Sequence, residues 1–108
     1  MSESYKGAKI LVVDDIQEIL ESTARMLETI GVEAVTEINP EEALNYLRSN
    51  TVDLILLDYF MPEMTGEVFI NELRKFDKET IVVLNTGYSD KVPPEEMMDN
   101  LNIQRIYK

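Results

Sequence analysis

The run Leu54-Ile55-Leu56-Leu57, which ends in Asp58, is the feature that most constrains the fold. Four apolar residues without a break, bounded by turn signals, are typical of a strand that is buried on both faces in a parallel sheet beneath helices. Asp58 then lies at the carboxyl end of the predicted strand, which is the edge where open α/β sheets bind ligands. The sequence therefore predicts that a rigid, buried strand places the carboxylate of Asp58 in a crevice at the edge of the sheet.

A second apolar run, Ile10–Val13, ends in two further acids, Asp14 and Asp15. Three carboxylates gathered at one edge would repel each other and raise one another's pKa values. Two arrangements relieve this repulsion. One is a bound cation, for which hard oxygen ligands favour Mg2+ or Ca2+, and the other is a lysine supplied by another part of the chain.

The rest of the chain alternates between strand and helix patterns, without repeats, linkers or low-complexity segments. This alternation predicts an α/β domain with a doubly wound parallel sheet. The predicted strands cover 10–13, 32–37, 52–57, 81–84 and 103–107, and the predicted helices begin at 14, 40, 66 and 93 and end near 30, 50, 76 and 100.

Several residues predict where the helices end and which sides they bury. Gly31 should end the first helix, whereas Asn39 and Pro40 should cap and begin the second. Asp14-Asp15 should also start the first helix. The predicted inward residues are Ile16, Ile19, Leu20, Thr23, Leu27 and Ile30 in the first helix, and Val68, Phe69, Leu73 and Phe76 in the third.

The composition excludes several classes of function. The 108 residues suffice for a single domain and include no cysteine and no histidine, which excludes zinc sites, thiol nucleophiles and histidine-based triads. The net charge of −11 argues against direct binding to nucleic acid. No apolar run is long enough to cross a membrane and no signal-peptide pattern is present, so we expect a cytoplasmic protein.

Four motifs follow one another along the chain, each at or near the end of a predicted strand: Leu11–Asp15, Leu56–Gly66, Asn85–Asp90 and the closing Tyr107-Lys108. With them the sequence resembles the receiver (REC) domain of two-component response regulators, over nearly the whole chain. The resemblance implies a flavodoxin-like sheet in the order 2-1-3-4-5. It also implies a phospho-accepting signalling module of a phosphorelay, not an enzyme.

The resemblance implies a role for each acid. Asp58 would take a phosphoryl group from a phosphohistidine on a sensor histidine kinase or a phosphotransfer protein, because a carboxylate can form a covalent acyl phosphate. Asp15, Asp58 and the backbone carbonyl of Phe60 would ligate Mg2+ directly. Asp14 would hold the ion mainly through water.

Other residues would surround the phosphoryl group. The resemblance implies that Thr86 donates its hydroxyl to a phosphoryl oxygen, that Gly87 leaves room beside it, and that Lys108 pairs with the phosphate. The resemblance also implies that Phe60 and Tyr88 occupy positions that help set how fast water reaches the acyl phosphate. Their bulk predicts a long-lived phosphoryl state.

The sequence departs from the family in two places. Arg105 stands where receivers carry the aromatic switch residue, three positions before the lysine. A fifth helix is missing, so residues 1–108 are expected to form one receiver domain truncated before its last helix. A second copy of the chain, as a homodimer, or a neighbouring domain would then cover the exposed apolar surface.

Two other functions remain open. One is a receiver-like docking module that works without phosphorylation, which Arg105 and the missing helix would suit. The other is a Mg2+-dependent phosphatase with an aspartyl nucleophile. Such enzymes use a second aspartate two residues after the first, where this chain has Phe60, so the enzyme interpretation ranks last.

Overall fold

A computed structural model describes residues 7–59, 61–85 and 105–107, of which Asn85 and 105–107 are described by their backbone alone. It contains a five-stranded parallel sheet in the order β2-β1-β3-β4-β5, as predicted. The helix predicted over 93–100 lies outside the described residues. In that described part no helix is long and apolar enough to span a membrane. The elements are β1 Lys9–Val13, α1 Gln17–Thr29, β2 Glu33–Glu37, α2 Pro40–Ser49, β3 Leu54–Asp58, α3 Gly66–Leu73, β4 Ile81–Asn85 and β5 Arg105–Tyr107.

Helices cover both faces of the sheet. Alternate strand residues point to opposite faces, and Leu11, Val13, Ile55 and Leu57 pack with buried residues of α2 and α3 in the larger core. On the opposite face, Val12 packs with two leucines of α1 in a smaller core. α1 therefore lies on one face of the sheet, and α2 and α3 lie on the other.

The predicted ends of α1 and α2 are mostly confirmed. Asn39 accepts hydrogen bonds from the backbone N–H groups of Glu41 and Glu42, at 2.8 and 3.1 Å. Gly31 follows α1 with a φ of 86°, which an L side chain rarely adopts. The predicted start of α1 at Asp14-Asp15 is wrong, because the helix begins only at Gln17, with no side-chain cap from Ile16.

The predicted inward faces are only partly correct. Of the six residues predicted to face inward in the first helix, Leu20 and Leu27 are buried and Thr23 is half-buried, whereas Ile16, Ile19 and Ile30 are 38–46% exposed. Leu20 and Leu27 form the smaller core with Val12 and Val32.

In α3, Phe69 and Leu73 are fully buried, but Val68 and Phe76 are 46% and 40% exposed. Val68 lies on the outer side of the helix. Phe76 lies beyond its end, because α3 stops at Leu73. The prediction of an inward role for both residues is therefore wrong.

Candidate functional site

Three carboxylates converge at the carboxyl edge of the sheet. β1 and β3 are parallel neighbours with Val13 opposite Leu57, so the residues that follow these two emerge side by side. Carboxylate oxygens of Asp14, Asp15 and Asp58 all lie within 4.8 Å of one another. Asp14 is 6% exposed, and the other two acids are half-buried.

Asp14 is held by its backbone and by its side chain. Its N–H donates to the Glu37 carbonyl at 3.2 Å, which extends the pairing of β1 with β2 by one residue. Its Oδ1 accepts a hydrogen bond from the Ile16 N–H at 3.0 Å. Burial raises the pKa of the Asp14 carboxyl, the Ile16 bond opposes that rise, and the charge of Asp15 adds to it. The sequence predicted Asp14 as a site residue, but it gave no sign of the Glu37 carbonyl that holds the Asp14 backbone in place.

Asp58 is the last residue of β3 and pairs with Asn85 of β4. The chain then turns toward α3, and the turn is closed by a hydrogen bond of 2.7 Å from the Gly66 N–H to the Tyr59 carbonyl. Thr65 caps α3 by accepting a bond from the Val68 N–H at 3.3 Å. The residue after Asp58 is thus tied directly to the first residue of α3.

A crevice runs from this cluster along the inner side of α1. Asp14 and Asp58 line it together with Ile19, Thr23 and Leu56. The sequence assigned Ile19 and Thr23 to the core, and their place beside the acids was missed. Hydrophobic periodicity could not predict this position, because an apolar stripe on a helix does not show which of its residues lie near the carboxyl edge of the sheet.

The donor set suits a hard divalent cation. Mg2+ binds oxygen at about 2.0–2.1 Å, so two oxygens directly bound to one ion lie at most about 4.2 Å apart. The observed spread of 4.8 Å is close to that limit. A cation would also offset the mutual repulsion of the acids.

The remaining predicted site residues lie mostly outside the described part of the chain. Phe60, Thr86, Gly87, Tyr88 and Lys108 are not described, so the structure does not test their place in the site. Arg105 is the first residue of β5, and its backbone pairs with Val83 of β4.

Comparison with known proteins identifies the family. The family model of the response regulator receiver domain matches residues 10–106. A probable transcriptional regulator ycf27 of Porphyra purpurea is 41% identical over 76 residues, which are 70% of this chain and 31% of that protein. The chain therefore spans less than a third of that relative's length.

Two similar solved structures contain TrrA of Thermotoga maritima, one with a bound ligand and one with a partner protein. The response regulator protein TrrA of Thermotoga maritima, in complex with Mg(2+)-BeF, has a TM-score of 0.80 and 33% identity, covering 93% of this chain and 84% of that one. A structure of the histidine kinase ThkA in complex with TrrA matches with a TM-score of 0.79 and 34% identity, covering 92% and 83%. Because the family model matches residues 10–106, the chain belongs to the response regulator receiver domain family.

Proposed function

We propose that this chain is a phospho-accepting module of a two-component phosphorelay, with Asp58 as the acceptor. The observation that carries the proposal is the convergence of Asp14, Asp15 and Asp58 at the carboxyl edge of the sheet. A carboxylate oxygen of Asp58 attacks the phosphorus of a phosphohistidine, and the new O–P bond forms as the P–N bond breaks. The electron pair of the broken bond stays on the imidazole nitrogen, which leaves.

The acids would also hold Mg2+, as the complex of the related TrrA supports. Asp15, Asp58 and the Phe60 carbonyl would be direct ligands, and Asp14 would act through water. When bound, the ion supplies positive charge that offsets the negative charge on the transferring group. The backbone bond from Asp14 to the Glu37 carbonyl keeps the β1 end of the site in register with β2 during the transfer.

Residues outside the described part complete the proposal. Thr86 and Lys108 would contact the phosphoryl oxygens, and Gly87 would leave room for them. Phe60 and Tyr88 would limit the access of water and so lengthen the lifetime of the acyl phosphate. Arg105 would replace the usual aromatic switch residue.

The phosphoryl donor would be a sensor histidine kinase or a phosphotransfer protein. The ThkA–TrrA complex supports this class of partner, because TrrA is similar to the chain over most of its length. Phosphorylation would change which partners the domain binds.

Incubation with acetyl phosphate and Mg2+, followed by intact mass spectrometry, tests the proposal. The wild-type chain should gain one phosphoryl group, and Asp58→Asn should gain none. Asp53→Asn is the matched control, because Asp53 is an exposed carboxylate at the opposite edge that bonds to the Lys9 N–H. A wild-type chain that folds, binds Mg2+ and stays unmodified would contradict the proposal and favour a docking module that works without phosphorylation.

A further inference from the structure

The first residue of α3 lies against the residue that follows the acceptor. Gly66 is buried and donates its N–H to the Tyr59 carbonyl. A Cβ added to Gly66 would lie 3.0 Å from Tyr59 Cδ1, 3.1 Å from Tyr59 Cα and 3.2 Å from Leu84 Cδ2. These distances are shorter than ordinary van der Waals contacts, so a side chain here would force a neighbour to move by a few tenths of an ångström.

The need for glycine at this position comes from space rather than from backbone conformation. Among the described glycines, positive φ angles occur at Gly7 and Gly31, not at Gly66. Glycine costs about 1 kcal/mol relative to alanine in a helix interior, and part of that preference would favour alanine at the first position of α3 if nothing stood beside it. The close approach to Tyr59 is the feature that alanine would disturb.

The displacement would fall mainly on Tyr59. Leu84 is fully buried in the larger core, and side chains in a close-packed core have little room to move. Phe69, also fully buried, keeps α3 from moving outward. Two of the three short distances involve Tyr59, one of them its Cα atom, which is one peptide unit from Asp58.

We propose that Gly66 is a positioning residue for the acceptor carboxylate. Its missing side chain lets the start of α3 rest on both the backbone and the ring of Tyr59, and these contacts together fix Asp58 relative to Asp14 and Asp15. The inference rests on the proposed function, in which these three acids hold Mg2+ and Asp58 accepts the phosphoryl group. It adds a residue whose effect passes through Tyr59 without contact with the ion.

Gly66→Ala tests the inference by calorimetric titration with Mg2+. We expect binding about tenfold weaker than in the wild type, a loss typical of residues that orient metal ligands. Phosphorylation by acetyl phosphate at a subsaturating Mg2+ concentration should slow by a similar factor. Asn71→Ala is the matched control, since Asn71 lies exposed on the same helix, and it should bind Mg2+ like the wild type.

A purely structural role predicts a different result. If Gly66→Ala shifts the melting temperature but binds Mg2+ as tightly as the wild type, the inference is overturned. If the wild type itself does not bind Mg2+, the proposed function fails, and backbone amide chemical shifts of the metal-free protein decide about Gly66. Shift changes at Asp14, Asp15 and Asp58 support the inference, whereas changes confined to α3 refute it.

A second variant keeps the test independent of how Gly66→Ala folds. Tyr59→Ala removes the ring that rests against Gly66 and leaves the glycine unchanged. It should also weaken Mg2+ binding, by about tenfold at most, because Asp58 loses part of its support. Binding at the wild-type level in this variant would also overturn the inference.

Discussion

Aspartates at the two edges of the sheet have opposite surroundings. At the carboxyl edge, Asp14, Asp15 and Asp58 face one another within 4.8 Å. At the amino edge, Asp53 and Asp77 face backbone N–H donors. The same residue type therefore stabilises the loops at one edge, whereas at the other edge its charges are crowded and suited to a cation.

The hydrogen bonds show how completely the amino edge is satisfied. Asp77 Oδ1 accepts from the N–H groups of Glu79 and Thr80, both at 3.0 Å, and Oδ2 accepts from the Thr80 hydroxyl. Burial alone would raise the pKa of Asp77, but the bonds from Thr80 and Glu79 and the charge of Arg74 lower it. The pKa of Asp14 moves the other way, since burial dominates there. Asp77 therefore differs from Asp14 in that several donors and a nearby cation outweigh the effect of burial on its pKa.

The largest effect should come from Asp15→Asn at the carboxyl edge. Loss of a direct ligand should weaken Mg2+ binding by at least about 100-fold, because even the loss of residues that orient ligands costs about 10–100-fold. Titration calorimetry measures it, with Asp53→Asn as the control from the amino edge. Undiminished Mg2+ binding by Asp15→Asn would show that the acids at the carboxyl edge do not form the Mg2+ site.

Asp77→Ala should have the next largest effect, and on stability alone. It leaves the Thr80 hydroxyl and two backbone N–H groups without their acceptor, so the free energy of unfolding should fall by about 2 kcal/mol. Urea denaturation measures the loss, and Glu79→Ala, which keeps the backbone donor, should be near neutral. A stability equal to the wild type would show that water replaces the carboxylate.

Asp58→Asn should act in the opposite direction. In the absence of Mg2+ it removes one of three crowded charges, so the free energy of unfolding should rise by about 1 kcal/mol and the melting temperature by about 4–8 °C. Thermal unfolding in a chelating buffer measures this. A melting temperature that falls by several degrees would mean that the stabilising contacts of Asp58 outweigh the repulsion among the three acids.

The smallest effect is a difference in pH dependence. The pKa of Asp14 is raised above its ordinary value of 3.8, so its contribution to stability is present below that value and is lost as pH rises through the raised pKa. The pKa of Asp77 is lowered, so its contribution is present above 3.8 and is lost as pH falls through the lowered pKa.

Urea unfolding of metal-free Asp14→Asn and Asp77→Asn at about pH 4 and about pH 7 should show opposite trends relative to the wild type. Asp14→Asn should gain relative stability at the higher pH. Asp77→Asn should lose relative stability there. Parallel trends in the two variants would show that the two edges are electrostatically alike.

The sequence predicts the sheet and the convergence of the acids well, because both follow from apolar runs and strand order. The run Leu54–Leu57 predicted a strand buried on both faces, and in the structure Ile55 and Leu57 are fully buried whereas Leu54 and Leu56 are half-buried. Parallel neighbours bring Asp14 and Asp58 to one edge. The inward faces were predicted less well. Periodicity shows that Ile19 and Val68 lie on apolar stripes, but which part of a stripe is covered depends on neighbouring elements. Contacts such as Gly66 with Tyr59 depend on tenths of an ångström, which no pattern encodes.

The position of β1 in the sheet has a consequence for how the chain is made. β1 lies between β2 and β3, so the β1–β2 pair can form as soon as Glu37 has left the ribosome. The other edge of β1 then stays open until β3 emerges, and β4 and β5 add outward on that side. During synthesis this open edge is the segment most exposed to pairing with another chain. Completion of β3 closes the edge of β1 and brings the three acids together in one step.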